Sequence, residues 1–204
     1  MLQDSIFITS MKNTFFYLII QVPIMLVLAI LLAQLLNNKD LKFKGLFRTC
    51  IFLPCATSLV SYSLIFKSMF ATQGLINSVL LKIGLISENV NWLGTPGTAK
   101  AVIIIALIWR WTGYNMVFYL AGLQNIEYSV YEAAKIDGCN PLQTFFIIIL
   151  PMLKPILVTV AVLDAIWIWN DYLLPSLMIN RDDLLTIPLK MYYFFGEYTK
   201  QWHL

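Results

Sequence analysis

Two long blocks without a charged side chain dominate the first third of the chain, one from Asn13 to Asn38 and the other from Thr49 to Phe66. A helix that crosses a bilayer needs about 20 apolar residues, so both blocks read as spans, the second only just long enough. Continued along the chain, the apolar pattern predicts four main spanning segments. The first is roughly Phe15–Leu36. The second is Thr49–Phe66, in which Pro54 either kinks the helix or marks a broken turn whose backbone groups need outside partners. The third runs from about Ala101 to Ile126 and is interrupted by Arg110 and Gly113. The fourth begins near Pro155, passes Trp169 and ends about Ser176, carrying Asp164 and Asp171. Between the second and third lies a longer polar link, Lys67–Lys100, whose "NWLGTPGTAK" has turn chemistry. The stretch after the fourth is mixed in polarity and too short of uncharged length to span.

Composition sharpens this into a class. Hydrophobic residues make up 59% of the 204 positions and charged residues 12%, against about 45–50% and roughly 25% in soluble domains. The expected fold is an all-α, polytopic transmembrane helical bundle, a single domain over 1–204. The net charge of +3 is small and dispersed, which excludes a nucleic-acid partner. Cys50, Cys55 and Cys139 have no paired ligand spacing and His203 stands alone, so neither a metal nor another cofactor is expected. The N-terminus does not read as a cleavable signal, because only Lys12 precedes the apolar run and no small-residue cleavage site follows. No G-x-x-x-x-G-K-[ST] phosphate loop occurs, and "GTPGTAK" has the wrong spacing, so the chain is not expected to hydrolyse ATP.

Basic residues in short loops set orientation. The link Asn37–Arg48 holds Lys39, Lys42, Lys44 and Arg48 against one acid, Asp40, and is expected to face the cytoplasm. Parity then places Lys67–Lys100 outside and the 127–154 loop inside, with both termini outside.

That inner loop contains "YEAAKIDGCNPLQTFFIIILP", Tyr131 to Pro151. "SVYE" at Ser129–Glu132 fits a capping box with Ser129 as the N-cap. "AAKID" continues the helix, and Gly138 ends it because glycine takes the left-handed geometry at little cost. A second start follows at once, with Asn140 as N-cap, Pro141 at the first helical position and Gln143 completing another box. The expected element is a short helix, a glycine turn and a second helix entering the membrane. Local chemistry leaves two readings open: an ordinary capped connector, or a stiff element that passes a push to or from a partner.

"EAAKIDG" followed by "IIILP" resembles the EAA motif of binding-protein-dependent ABC-transporter permeases. "FRTCIFLP", "GLINSVLLKIGL", "NWLG", "IWRWTGYNMVFYLAGLQNI", "WNDYLLPSLMI" and "TIPLKMYYFFGEY" are similar, in order, to stretches of its carbohydrate-uptake branch. The resemblance implies that the loop is a coupling helix docking on a separate ATP-binding subunit. It also implies a second permease subunit, an extracytoplasmic solute-binding protein, and a cell membrane of a prokaryote around the bundle. Glu132, Ala133, Ala134 and Gly138 match the motif's main positions, and Asp137 and Pro151 its flanks. Glu127 and Cys139 depart from it, standing where proline and a small residue such as alanine are usual. The resemblance also implies a core that usually has six spanning helices, to which this chain is expected to correspond without the first and last.

Ionisable groups inside spans are costly and face a bundle interior or a water-filled path. Arg110 and Asp164 both fall near the midplane, which suggests that they pair across neighbouring helices. The alternatives are that each faces water, or that another helix supplies the partner. Asn115, Asn170 and Asp171 are candidates to line a solute path, since hydroxyl-rich solutes need hydrogen-bonding groups. Trp109, Trp111, Trp167 and Trp169 read rather as belt or packing residues. Three transport functions compete at this level: import of a sugar or oligosaccharide, import of another polar solute such as a glycerol phosphate or polyol, and ion-coupled secondary transport. The last leaves the EAA loop unexplained. A membrane enzyme would need a nucleophile–base or metal constellation, and none is legible.

Overall fold

The computed structural model describes residues 5–38, 41–171, 173–178, 184 and 186–195, and among these no strand occurs. The helices are α1 (Ser5–Asn37), α2 (Lys44–Ala56), α3 (Leu59–Met69), α4 (Leu75–Lys82), α5 (Pro96–Gln124) and α6 (Tyr128–Ile136). They are followed by α7 (Pro141–Met152) and then α8 (Lys154–Asn170), α9 (Leu173–Met178) and α10 (Ile187–Phe195). From Phe7 onward α1 is long and apolar enough to cross a membrane, as is α5. Two broken pairs, α2 with α3 and α7 with α8, pass the same test when each is taken as one span, so the described residues hold two to four spans. The fold is an all-α transmembrane bundle, as expected.

The boundaries differ from the sequence pattern for identifiable reasons. Helix α1 starts ten residues before Phe15, through Ser10, Lys12, Asn13 and Thr14. Ser10, Asn13 and Thr14 are buried, and Thr14 Oγ1 both donates to Ser10 O at 3.0 Å and accepts from Ile187 N at 3.0 Å. Internal hydrogen bonds let polar residues extend a helix that hydropathy alone would end. Helix α5 begins at Pro96, earlier than Ala101, because a proline suits the first helical position. Gly113 does not interrupt it. The second segment does break, but at Thr57–Ser58, with Pro54 inside α2. The fourth segment breaks at Asp171, whose Oδ1 accepts from Leu174 N at 3.4 Å and so restarts the chain as α9.

By its contacts the chain divides into two compact units. One comprises residues 1–21, 57–108 and 166–204. Its link between α3 and α5 is organised by one fully buried side chain, Asn77. Asn77 Nδ2 donates to Thr72 O at 2.8 Å and Val90 O at 2.8 Å, while its Oδ1 accepts from Trp92 Nε1 at 2.9 Å and Val90 N at 3.3 Å. Phe70 meets the Trp92 indole edge-on, and Tyr62, Phe66 and Phe70 continue the aromatic row down α3. A link read as merely polar is thus a folded cap. Asn77→Ala removes these bonds together and leaves buried backbone groups without partners, at about 1–3 kcal/mol for each such group. The expected outcome is faster limited proteolysis between residues 71 and 92, with the spans still inserted.

The other unit comprises residues 22–56 and 109–165. Its core joins Ala29, Ala33 and Leu36 of α1 to Met116, Tyr119 and Leu123 of α5 and to Ile149, Leu153 and Val160 farther on. Small residues set how closely its helices approach. A Cβ on Gly113 would meet the backbone oxygen of Ile51, and one on Gly122 would meet Ile156 Cδ1. Three residues before Gly113 on the same helix, the buried Arg110 donates from Nη1 to Pro54 O at 3.2 Å. Pro54 lies in the last turn of α2. A guanidinium there complements the negative end of the helix dipole. The C-terminal turn of α2 is therefore held from α5.

Candidate functional site

The 127–154 segment is built from two capped helices joined by a tight turn. Helix α6 begins at Tyr128 with extended Glu127 as its N-cap, and no side chain caps it. The box expected at Ser129–Glu132 does not form. Ser129 already lies inside the first turn, and its Oγ donates back to Glu127 Oε2 at 3.2 Å. The end of α6 is as expected. Gly138 takes φ +79°, its N–H reaches Lys135 O at 3.2 Å, and Cys139 N reaches Ala134 O at 2.9 Å, which together make a Schellman closure. The second box also forms, with Gln143 N to Asn140 Oδ1 at 2.8 Å and Asn140 N to Gln143 Oε1 at 2.9 Å. From Thr144 to Ile149 the helix is π-helical, and at Leu153 it bends by 67° into α8.

The rotation of α6 decides what it presents. Ala134 is buried, whereas Glu132, Ala133, Asp137 and Gly138 are exposed, and so is Pro151 in α7. Residues two apart on a helix point about 200° apart. Anchoring Ala134 inward therefore turns both Glu132 and Ile136 outward. Ile136 is 85% exposed and Leu142, just past the turn, 70%. These apolar side chains were not singled out from the sequence; the helical offset from Ala134 is the signal that could have found them. Beneath α6 lies a cavity of ≈ 350 Å³ lined by Gln34, Tyr131, Lys135, Cys139, Thr144 and Phe145 among others. Burial pushes the Tyr131 hydroxyl pKa up, the side chain of Asn37 acting the other way.

The intramembrane charges are not arranged as expected. Asp164 does not pair with Arg110; its Oδ2 accepts from Asn115 Nδ2 at 2.7 Å, with both side chains buried. Arg110 is drawn instead to the carbonyl end of α2, as described above. An amide partner matches a buried carboxyl group without taking a second charge out of water, a desolvation that is often costlier than the pairing returns. Among the path candidates, Asn115 is thereby buried and engaged. Asn170 is exposed, its Nδ2 donating to Ile166 O at 2.7 Å, and Asp171 is half-buried at the α9 start. Among the described residues no group of His, Cys, Asp and Glu is placed to hold a metal ion.

The profile of the family described as "Binding-protein-dependent transport system inner membrane component" matches residues 8–199. The chain belongs to this family. Its relatives in the family include the lactose transport system permease protein LacF of Rhizobium radiobacter, 52% identical over 80% of this chain and 55% of that protein. The arabinooligosaccharides transport system permease protein AraP of Halalkalibacterium halodurans is 40% identical over 78% of this chain and 51% of the relative. The xylose/arabinose import permease protein XacH of Haloferax volcanii is 34% identical over 97% and 64%. The chain thus spans about half to two thirds of the length of these relatives. The fold agrees with a crystal structure of a bacterial ABC transporter involved in the import of the acidic polysaccharide alginate. That likeness has a TM-score of 0.86 at 25% identity, covering 96% of this chain and 70% of that one. The family's placement in the inner membrane agrees with the apolar spans of this member.

Proposed function

We propose that this chain is a permease subunit of an ATP-driven importer, carrying a sugar or oligosaccharide delivered by an extracytoplasmic solute-binding protein. In this reading it pairs with a second permease subunit, and the 127–154 loop docks on ATP-binding subunits. The observation that carries the reading is the rotation of α6. Ala134 fastens the helix to its own unit while Glu132 and Ile136 face away from it, and the Schellman turn at Gly138 fixes where the next helix leaves. Such an element is short, doubly capped and ends in a broken span, so force applied to its outer face passes into α7 and α8. Sugar as the solute class is supported by the relatives' names. Asn170 and Asp171 are the residues proposed to meet the solute, and Asn115 serves as the partner of Asp164.

The test is co-purification and uptake. Glu132→Lys reverses the charge on the outer face, and Gly138→Val puts a β-branched residue at φ +79°, a genuine outlier for such side chains. Both variants are expected to insert normally, to lose the ATP-binding subunit on purification and to lose most uptake. Unaltered uptake in both would overturn the coupling role. Ion-coupled transport loses the feature that suggested it, since Arg110 and Asp164 each have a local partner of another kind.

A further inference from the structure

Helix α4 and its C-cap Ile83 carry a row of exposed apolar side chains. Leu75 is 60% exposed, Val79 46% and Ile83 60%. Their spacing of i, i+4 and i+8 places them in one row. Their outward direction is imposed by Asn77. Leu75 and Val79 each stand two residues from it, about 200° round the helix. Because Asn77 is buried and bonded to Thr72, Val90 and Trp92, α4 cannot roll to hide that row without breaking those bonds.

The same bonds fix where α4 sits relative to the end of α3 and the start of α5. Its N-cap Gly74 follows Met69, the last residue of α3, by five positions, and Gly74 N is bonded to Ala71 O at 2.8 Å. Thr72 O, which receives Asn77 Nδ2, lies in that same short connection. At the other side, Trp92 comes four positions before Pro96, where a membrane-spanning helix begins. One side chain thus ties α4 to the emerging end of α3 and to the entry of α5. The helix, about 12 Å long, is held beside those two helix ends. The neighbouring surface of α3 is apolar and exposed as well, through Val60, Leu64 and Ile65.

We propose that α4 is an interfacial membrane anchor, with Leu75, Val79 and Ile83 seated at the headgroup–acyl boundary of the adjoining leaflet. An amphipathic helix of this kind buries its apolar face some 5–10 Å into that boundary. The occupant of the exposed row is lipid. The anchor holds the Asn77-centred cap, and with it the mouths of α3 and α5, against the bilayer.

The probe is a nitroxide at Val79→Cys, at Ile83→Cys and, as a water-facing reference, at the exposed Glu88→Cys. Each is placed in a transport-competent background lacking the native cysteines and reconstituted into phosphatidylethanolamine–phosphatidylglycerol vesicles. Lipid-soluble oxygen is expected to outcompete a water-soluble nickel reagent at positions 79 and 83, with the order reversed at 88. Equal, water-like accessibility at all three positions overturns the proposal. So does exclusion of both reagents at 79 and 83, which would mean that protein covers the row. Should removal of the cysteines impair folding, a solvatochromic amino acid incorporated at 79 in the otherwise native chain gives the same decision. A blue-shifted emission that brominated lipid quenches supports the anchor, and one that brominated lipid leaves unquenched overturns it. Emission matching that of a probe at 88 overturns it.

Discussion

Gly113→Ala is expected to be among the most damaging single substitutions in the chain. A Cβ at this position would fall against the backbone oxygen of Ile51, and the α2 backbone has no rotamer by which to yield. Forcing extra atoms into a packed interior costs about 1–3 kcal/mol, and occasionally more when backbone must move. Displacing α2 also withdraws Pro54 O from Arg110, so the loss is expected at the upper end of that range or beyond. The control lies on the same helix. A Cβ on Gly97 meets nothing within 4 Å, so Gly97→Ala is expected to be neutral or slightly stabilising. Thermal unfolding of the two variants in the same detergent checks the contrast. Equal midpoints would show that α5 and α2 do not approach as closely as described.

Asn115→Leu is expected to follow closely. It strips the buried Asp164 carboxyl of its 2.7 Å donor and offers nothing in exchange. Leaving a buried group unsatisfied costs roughly 1–3 kcal/mol, more when it is charged. The informative comparison is with the double variant Asn115→Leu, Asp164→Leu. Replacing both partners by apolar groups of similar shape is close to neutral, so the second change is expected to restore much of the stability that the first removes. Had the pair been Arg110 with Asp164, Asn115→Leu would be mild and the second change harmful. A thermodynamic cycle on the purified protein separates these outcomes. If the single Asn115 variant melts with the wild type, the Asn115–Asp164 bond contributes nothing.

Much of the architecture was legible in the order of the residues. Charge-free blocks at Asn13–Asn38 and Thr49–Phe66 predict spans because the cost of burying charge in hydrocarbon leaves little choice. Capping chemistry predicted the Asn140–Gln143 box and the Gly138 turn, since these depend on atoms within a few residues of one another. The same chemistry misplaced the start of α6. Both Glu127 and Ser129 can open a helix, and the choice between them rests on where the chain leaves α5. The polar face of α1 was missed for a related reason. Ser10, Asn13 and Thr14 look like a loop until Ile187, far away in sequence, supplies a partner for Thr14.

The sequence by itself determined that this protein crosses a membrane, that one of its spans kinks or breaks near Pro54, and that a twice-started loop lies between two of them. Hydropathy, proline and glycine act locally, so their consequences can be read along the chain. Only the tertiary structure decided which partners the buried polar groups take. Asp164 chose an amide, Arg110 the carbonyl end of α2 and Asn77 the connections around it, because each choice depends on which helices are neighbours and how they are rotated. That rotation also decides which faces remain outward, Glu132 and Ile136 on α6 and the Leu75–Ile83 row on α4. An α-helix is equally stable about its own axis at any angle until something packed against it holds one.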